Sequence, residues 1–177
     1  DMGTGRYNGG SAGTQTAGIA MAGSPAPSYT RATEEYDGTD WAAGGDMPVA
    51  KGYFGGGGTQ TAALAMGIGP NSTDSYEYDG SSWASSVSMN RGCSQGSVAG
   101  IQTAAISFGG TPPTTATEYY DGSSWTNYPS MATPRYALAA ASGTATSAMG
   151  AGGYVPPASA ATEEFSGTVT LKTVTDS

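Results

Sequence analysis

The chain has 177 residues, which one domain can account for, and a formal net charge of −8 from six basic and fourteen acidic residues. It therefore lacks the clustered lysine and arginine that bind nucleic acid, and without a run of about eighteen apolar residues we expect no membrane insertion. The absence of histidine excludes histidine-based nucleophilic triads and makes zinc a poor fit, and a single cysteine excludes an intrachain disulfide.

A Tyr-Asp-Gly motif followed closely by Trp recurs at a constant interval of 42 residues. The three tyrosines and their tryptophans are Tyr36 and Trp41, Tyr78 and Trp83, and Tyr120 and Trp125. A degraded copy, Phe165-Ser166-Gly167, follows 45 residues later. The recurrence predicts a single domain, 1–177, of four structural units at approximately 2–46, 47–88, 89–130 and 131–177.

The sequence predicts the same order of strands in each unit. The first strand starts near Arg6-Tyr7 and its equivalents. The second strand alternates large and small side chains, as in Ile19-Ala20-Met21, which is the period-two pattern of a strand buried on both faces. The third strand runs through Thr33–Tyr36 and its equivalents, Asp-Gly supplies a tight turn, and Trp opens the fourth strand. The 29 glycines and 10 prolines argue against helices.

Four strands in each of four units predict an all-β, four-bladed propeller in which each blade is a four-stranded antiparallel sheet. The chain starts at a predicted first strand and ends near a predicted fourth, so we expect contiguous blades with no strand exchanged to close the ring. Two alternatives stay open. The first and fourth units close the ring by packing on each other, or further copies of the chain complete a larger ring or a fibre as a homo-oligomer.

Residues that keep the phase of the repeat are better explained by structure than by chemistry. The basic residues Arg6, Lys51 and Arg135 recur with the strand glutamates, which favours structural salt bridges over ligand contacts. The repeated tryptophans favour packing between blades over sugar stacking. Cys93 takes the place of the basic residue in the third unit, and its strand position predicts inert burial.

Carboxylates are the chemistry that composition leaves open. One aspartate recurs in each Asp-Gly turn, and although such loops could ligate calcium, Asp beside Gly and Ser is ordinary turn chemistry. A glycosidase needs two carboxylates in different environments, whereas Glu77 and Glu118 are symmetric strand residues. We therefore expect no metal, no cofactor and no catalytic residue; a carbohydrate-active enzyme using carboxylates is the less favoured alternative.

The order Met-x3-Arg, apolar run, Gly-Gly, Tyr-Asp-Gly and Trp resembles the Kelch repeat. Gly109-Gly110 and Gly152-Gly153 match that family's glycine pair. Thr33 to Trp41 and Gly13 to Ala17 are more similar to the Gly/Thr/Ala-rich Kelch-like repeats of marine bacteriophage and metagenomic proteins. The resemblance implies a propeller used as a binding platform or structural module.

Function is expected where the units differ, in the irregular loops between second and third strands. We predict that these loops share one face and that Tyr29, Arg31, Asn71, Asp74 and Tyr154 are candidate ligand-binding residues. The resemblance implies a non-enzymatic recognition or structural module of a phage virion, on a tail or fibre. Such a module would bind a host-surface glycan or protein beside other virion proteins, in a virion or extracellular location. A secreted or surface adhesion or filament protein is the alternative.

Overall fold

A computed structural model describes residues 1–138, 140–167 and 170–174 and shows sixteen strands in four antiparallel sheets, with no helix in those ranges. Each sheet consists of four strands that are consecutive in the chain and neighbours in the sheet. The sheets are the blades of a four-bladed β-propeller, which confirms the predicted architecture. Since the described residues include no helix, they also include none that could span a membrane.

The strands of the four blades follow chain order. The first blade contains β1 (Gly10–Thr14), β2 (Ala17–Met21), β3 (Thr33–Tyr36) and β4 (Trp41–Ala43). The second contains β5 (Gly55–Thr59), β6 (Ala62–Met66), β7 (Ser75–Tyr78) and β8 (Trp83–Ser85). The third contains β9 (Ser97–Ile101), β10 (Ala104–Phe108), β11 (Thr117–Tyr120) and β12 (Trp125–Tyr128). The fourth contains β13 (Ala140–Thr144), β14 (Ser147–Ala151), β15 (Thr162–Ser166) and β16 (Thr170–Val174).

The Tyr…Trp signature is a cross-strand aromatic pair. In each of the first three blades the tyrosine ends the third strand and lies directly opposite the tryptophan that begins the fourth. The ring centroids of Tyr78 and Trp83 are 5.0 Å apart, and those of Tyr120 and Trp125 are 4.8 Å apart. Aromatic pairs at this spacing contribute beyond the area that they bury, so each pair reinforces the outer half of its blade.

The Asp-Gly segment forms a four-residue turn rather than the tight hairpin predicted. Asp37 accepts hydrogen bonds on one carboxylate oxygen from the backbone N–H groups of Thr39, at 2.8 Å, and Asp40, at 2.9 Å. Gly38 has φ of +96°, which a residue without Cβ adopts readily. In the second and third blades the same backbone bonds, joined by serine hydroxyls, lower the pKa of Asp79 and Asp121 to about 2. These carboxylates therefore stabilise the turn.

Glycine-rich first strands pack side by side around the propeller axis: β1 along β5, β5 along β9, and β9 along β13. A Cβ atom on Gly56 would lie 2.9 Å from the Ser11 carbonyl oxygen, so the two backbones are in direct contact. These strands begin later than predicted, at Gly10 and not near Arg6-Tyr7. The cause is Asn8, whose φ of +56° interrupts the extended chain after a single bridge between Tyr7 and Ser24.

The hydrophobic core lies between consecutive blades, in three slices that we call junctions 1, 2 and 3. At junction 1, Ile19 and Met21 of the first blade pack with Tyr78 and Trp83 of the second. At junction 2 Leu64 and Met66 meet Tyr120 and Trp125, and at junction 3 Ile106 and Phe108 meet Ala148 and Phe165. The large residues on the second strands of the first three blades thus face the following blade. Trp83 and Trp125 therefore pack between consecutive blades.

Repeated hydrogen bonds also cross the first two junctions. The Gln60 side chain donates to the carbonyl oxygens of Gly18, at 3.1 Å, and Tyr36, at 2.7 Å. Gln102 donates in the same way to the second blade, and Trp83 Nε1 donates to Thr33 at 2.9 Å. Since the side chains satisfy backbone groups at the blade edge, they fix the relative position of the sheets.

Within blades, an arginine before the first strand is paired with a glutamate on the third. Arg6 is paired with Glu34, and Arg135 with Glu163 at 2.6 Å, and both arginines also donate to backbone carbonyls of their own blade. The structural salt bridge predicted for these two arginines is confirmed. A buried pair of this kind is costly to break one partner at a time, because the remaining charge is left uncompensated.

The third blade obtains its cation from a different residue than its position in the repeat predicts. Cys93 is buried, as expected, and burial raises the pKa of its thiol. Arg91, two residues earlier, donates from Nη2 to the Gly109 carbonyl at 2.8 Å, which matches the bond from Arg135 to Gly152 in the fourth blade. Glu118 accepts from the backbone N–H of Arg91 at 2.9 Å. Arg91 therefore supplies the cation of the third blade.

Candidate ligand site on the loop face

The antiparallel strand order separates two faces of the propeller. Turns within the β1–β2 and β3–β4 hairpins, and their equivalents, project from one face. The loops between second and third strands, and the connections between blades, project from the other, which we call the loop face; its elements are residues 6–9, 22–32, 44–54, 67–74, 86–96, 109–116, 129–138 and 152–161. The loops that vary most between units thus lie together, as the strand order predicts.

A cavity of about 460 Å³ opens on the loop face where the first three blades meet. Its walls come from the loops of all three blades and from the two connections between them. The lining residues are Tyr29, Lys51, Gly52, Tyr53, Gly69, Pro70, Ser94, Gln95 and Thr111. A volume of this size lies within the range of small-molecule sites.

Two tyrosines give the cavity its aromatic surface. Tyr29 is 45% exposed and Tyr53 is 40% exposed, although both are large apolar side chains. Tyr53 has φ of +63°, and its backbone is held by two bonds: its N–H donates to Asn8 at 2.8 Å, and its carbonyl accepts from Gln95 at 2.7 Å. Asn8, Gln95 and Ala137 have similar positive φ values at the equivalent positions, so this backbone is a repeated feature of the propeller that fixes where Tyr53 lies.

Lys51 supplies the cation of the cavity. It occupies the second blade's equivalent of the Arg6 position, but Tyr76 replaces the glutamate that would pair with it. Within the described residues Lys51 makes no ion pair, and its side chain is exposed beside Gly69. The paired substitution therefore leaves a cation free to meet an anionic group.

Polar groups complete the site without a carboxylate. Thr111 Oγ1 is buried and has no hydrogen-bond partner in the described part of the protein, so it can donate to a bound molecule. Gln95, half-buried at the rim, adds an amide. The cavity thus combines aromatic surface, one cation and neutral hydrogen-bonding groups.

The structure brings only one of the five predicted ligand residues to this cavity. Tyr29 lines it, whereas Arg31 donates from Nε to the Met47 carbonyl at 2.6 Å. Asn71 and Asp74 are exposed on the second blade's loop, with Asn71 at φ of +55°. Tyr154 is on the fourth blade, edge-on to the ring of Tyr136 at 5.5 Å. The other four predicted residues thus lie on the loop face but outside the lining of this cavity.

Lys51, Tyr53 and Gln95 were not predicted as ligand residues because they belong to connections that keep the phase of the repeat. For Lys51 a signal was present in the sequence, since Tyr76 replaces a glutamate in the same unit. For Tyr53 and Gln95 no such signal exists, because their positions in the cavity depend on the left-handed backbone that only the structure shows.

Five of the six strand glutamates have structural partners, and the sixth, Glu164, is exposed. Glu34, Glu118 and Glu163 are buried against arginine or backbone N–H groups, and Glu35 and Glu77 accept tyrosine hydroxyls. Among the described residues no group of three or more Cys, Asp or Glu side chains could hold a metal ion.

Fold and site together define a β-propeller with a candidate ligand cavity on its loop face. Comparison of the sequence with protein-family models and with curated proteins finds no match in either.

Proposed function

We propose that the protein is a non-enzymatic recognition module that binds a glycan in the loop-face cavity. The observation that carries this proposal is the meeting of Tyr29, Tyr53 and an unpaired Lys51 around one opening of about 460 Å³. Aromatic rings pack on the C–H faces of sugars, and neutral hydrogen-bonding groups such as Thr111 and Gln95 match hydroxyls. The lysine favours a sugar that carries a carboxylate or sulfate.

The structural hydrogen bonds that the glutamates accept support a role without catalysis. A glycosidase requires one carboxyl held protonated and a second held ionised, with both facing the substrate. Here the cavity has no carboxylate in its described lining, and every strand glutamate except the exposed Glu164 accepts hydrogen bonds from arginine, tyrosine or backbone groups.

The biological setting that we propose is the outside of a phage virion, on a tail or fibre, where the cavity would engage a host-surface glycan. Support for this setting comes from the resemblance of Thr33 to Trp41 and Gly13 to Ala17 to Kelch-like repeats of marine bacteriophage proteins. The four-bladed architecture, in which each blade consists of four consecutive strands, agrees with a Kelch-like propeller.

The test is direct binding of the purified protein to a panel of immobilised polysaccharides, with acidic members matched to neutral ones. Tyr29→Ala and Lys51→Ala should each weaken binding at least about tenfold, and Lys51→Ala should abolish the preference for acidic members. Tyr154→Ala is the matched control, because Tyr154 is 43% exposed on the same face but outside the cavity.

Two results would overturn the proposal. Binding that is unaffected by Tyr29→Ala and Lys51→Ala would place the ligand elsewhere. Polysaccharide cleavage that is lost in Glu77→Gln or Glu118→Gln, with the fold intact by circular dichroism, would make the protein an enzyme.

A further inference from the structure

In the described part of the chain, the first and fourth blades each present one face that has no neighbouring blade packed on it. The equivalent faces of the remaining blades are covered at junctions 1, 2 and 3. Inner strands pack along one another at junctions 1, 2 and 3, but no comparable contact joins β1 to β13 among the described residues. The fourth junction of the ring is therefore not formed within the described chain.

Burial shows this position by position. Tyr78, Tyr120 and Phe165 are buried by the blade before them, whereas the equivalent Tyr36 of the first blade is only half-buried. Trp41 is likewise more exposed than Trp83 or Trp125. On the fourth blade, the residues that would face a following blade are also more exposed than their equivalents. Met149 is half-buried, whereas the equivalent Ile19, Leu64 and Ile106 are buried. Thr162 is half-buried, whereas the equivalent Thr33 and Thr117 are buried.

The two free faces also carry matching polar groups. Gln15 is the first blade's equivalent of Gln60 and Gln102, yet it is exposed and makes no hydrogen bond among the described residues. The carbonyls that it would meet by analogy are those of Ala148 and Phe165. Glu164 is exposed on the fourth blade, where Glu35 and Glu77 each accept a tyrosine hydroxyl from the following blade.

The backbone just before the first strands also has hydrogen-bonding groups without partners, among the described residues, on the first and fourth blades. The N–H of Tyr53 donates to Asn8, that of Gln95 to Tyr53, and that of Ala137 to Gln95, at 2.8, 2.7 and 3.0 Å. The series stops there: no described bond joins the Asn8 N–H to the Ala137 carbonyl. One donor and one acceptor are left, one on each end blade.

We propose that the fourth blade of one copy packs against the first blade of a second copy. In this interface Gln15 bonds to Ala148 and Phe165 of the other copy, Tyr36 donates to Glu164, and Trp41 reaches Thr162. A second copy is the occupant that these groups specify, because Gln15 and Tyr36 would repeat contacts made at both junctions 1 and 2. Trp41 would repeat the bond that Trp83 donates to Thr33 at junction 1. The interface is heterologous, so it closes into a ring of copies or extends as a filament.

The test uses two variants of the whole chain, each blocking one face. Gln15→Glu sets a carboxylate against two carbonyl oxygens, and Thr162→Arg sets a bulky charge where Trp41 would fit. Each should weaken self-association at least about tenfold in sedimentation velocity across a wide concentration range. A mixture of the two should form a heterodimer and nothing larger, because one unblocked face remains on each partner.

Matched controls and a folding check separate the outcomes. Thr126→Arg and Asn127→Asp make the same kinds of change at exposed positions on β12 and should associate like the unmodified chain. Circular dichroism and thermal melting confirm that each variant folds. An unmodified chain that stays monomeric while Gln15→Glu lowers its melting temperature would overturn the proposal in favour of closure within one chain. Persistent self-association of both blocked variants, or a mixture without heterodimer, would also overturn it.

Discussion

Tyr78 donates its phenolic hydroxyl to Glu35, 2.5 Å away and 43 residues earlier in the chain. The bond crosses junction 1, and Tyr120 makes the same bond to Glu77 across junction 2. At junction 3 both halves change together: Tyr119 replaces the glutamate and Phe165 replaces the tyrosine. There the ring of Phe165 packs instead on Phe108, with centroids 4.9 Å apart. Polar pairing and apolar packing are thus alternative ways of joining blades.

Removing the Tyr78 hydroxyl should destabilise the protein. Tyr78→Phe leaves the Glu35 carboxylate without its tyrosine donor and the Gly45 N–H without its acceptor, so we expect a loss of about 1–2 kcal/mol in the free energy of unfolding. Urea denaturation in dilute solution measures it. Tyr36→Phe is the control, since no described group bonds to that hydroxyl, and equal losses in both variants would contradict this explanation.

The same hydroxyl should make stability fall at alkaline pH. Burial and the hydrogen bond to Glu35 raise the pKa of Tyr78 from 10.0 to about 12. A raised pKa in the folded state stabilises the protein below the unfolded value and loses that contribution as pH rises through the folded one. Unfolding free energies should therefore decline between about pH 10 and 12, less steeply in Tyr78→Phe. Identical slopes in the two proteins would argue against it.

Trp83→Ala should be among the most destabilising single changes. The indole is 9% exposed, packs at junction 1 and donates to Thr33. We expect a loss of about 3–5 kcal/mol from the cavity and the lost packing. Trp41→Ala, on the free face of the first blade, should cost clearly less when measured on the monomer by denaturant unfolding. A change of a few tenths of a kcal/mol at Trp83 would mean that junction 1 is not packed as described.

Arg91 and Lys51 offer a comparison between neighbouring blades. Arg91→Ala removes a charged donor from the Gly109 carbonyl, so we expect a loss of about 2 kcal/mol. Lys51→Ala should change stability by less than about 0.5 kcal/mol, because that side chain is exposed and unpaired in the described structure. Thermal and urea unfolding of the two variants decide whether the third blade's cation is structural. A reversed order would contradict the assignment.

Acid should weaken the turns of the second and third blades. The pKa values of Asp79 and Asp121 are lowered from 3.8 to about 2 by the N–H and hydroxyl groups that they accept from. A lowered pKa stabilises the folded state above the unfolded value and loses that contribution as pH falls through the folded one. Melting temperatures should therefore drop between about pH 4 and 2, with a smaller drop in the double variant Asp79→Ala/Asp121→Ala. An unchanged acid limb in that variant would refute the role.

Periodicity predicted the architecture because the repeat encodes local and neighbouring contacts. The alternation of large and small residues in Ile19-Ala20-Met21 predicted a strand buried on both faces, and the constant Tyr…Trp spacing predicted the packing aromatics. The start of the first strands was wrong because a left-handed residue such as Asn8 has no reliable signature outside glycine. The repeat does not predict the role of Arg91, because Arg91 lies two residues before the position that carries the basic residue in the other units.

The site was harder to predict than the fold. Tyr29 was identified as a loop aromatic, but its neighbours in the cavity come from other blades, as far along the chain as Thr111. Spatial neighbours of that kind depend on how blades are arranged around the axis, which the sequence of one unit does not contain. For Lys51, the only signal in the sequence is that Tyr76 stands where its glutamate partner would be expected.

The matched residues at the junctions also determine which units can be deleted or duplicated. Loss of the second unit would bring Glu35 against Tyr120 and Trp125 against Thr33, so the hydrogen-bonded joint would form again. Loss of the third would bring Glu77 against Phe165, leaving a carboxylate facing a ring without a hydroxyl. The repeats are therefore not interchangeable. Removal of the second unit, which carries Lys51, would leave matched residues at the new junction, whereas removal of the third unit would not.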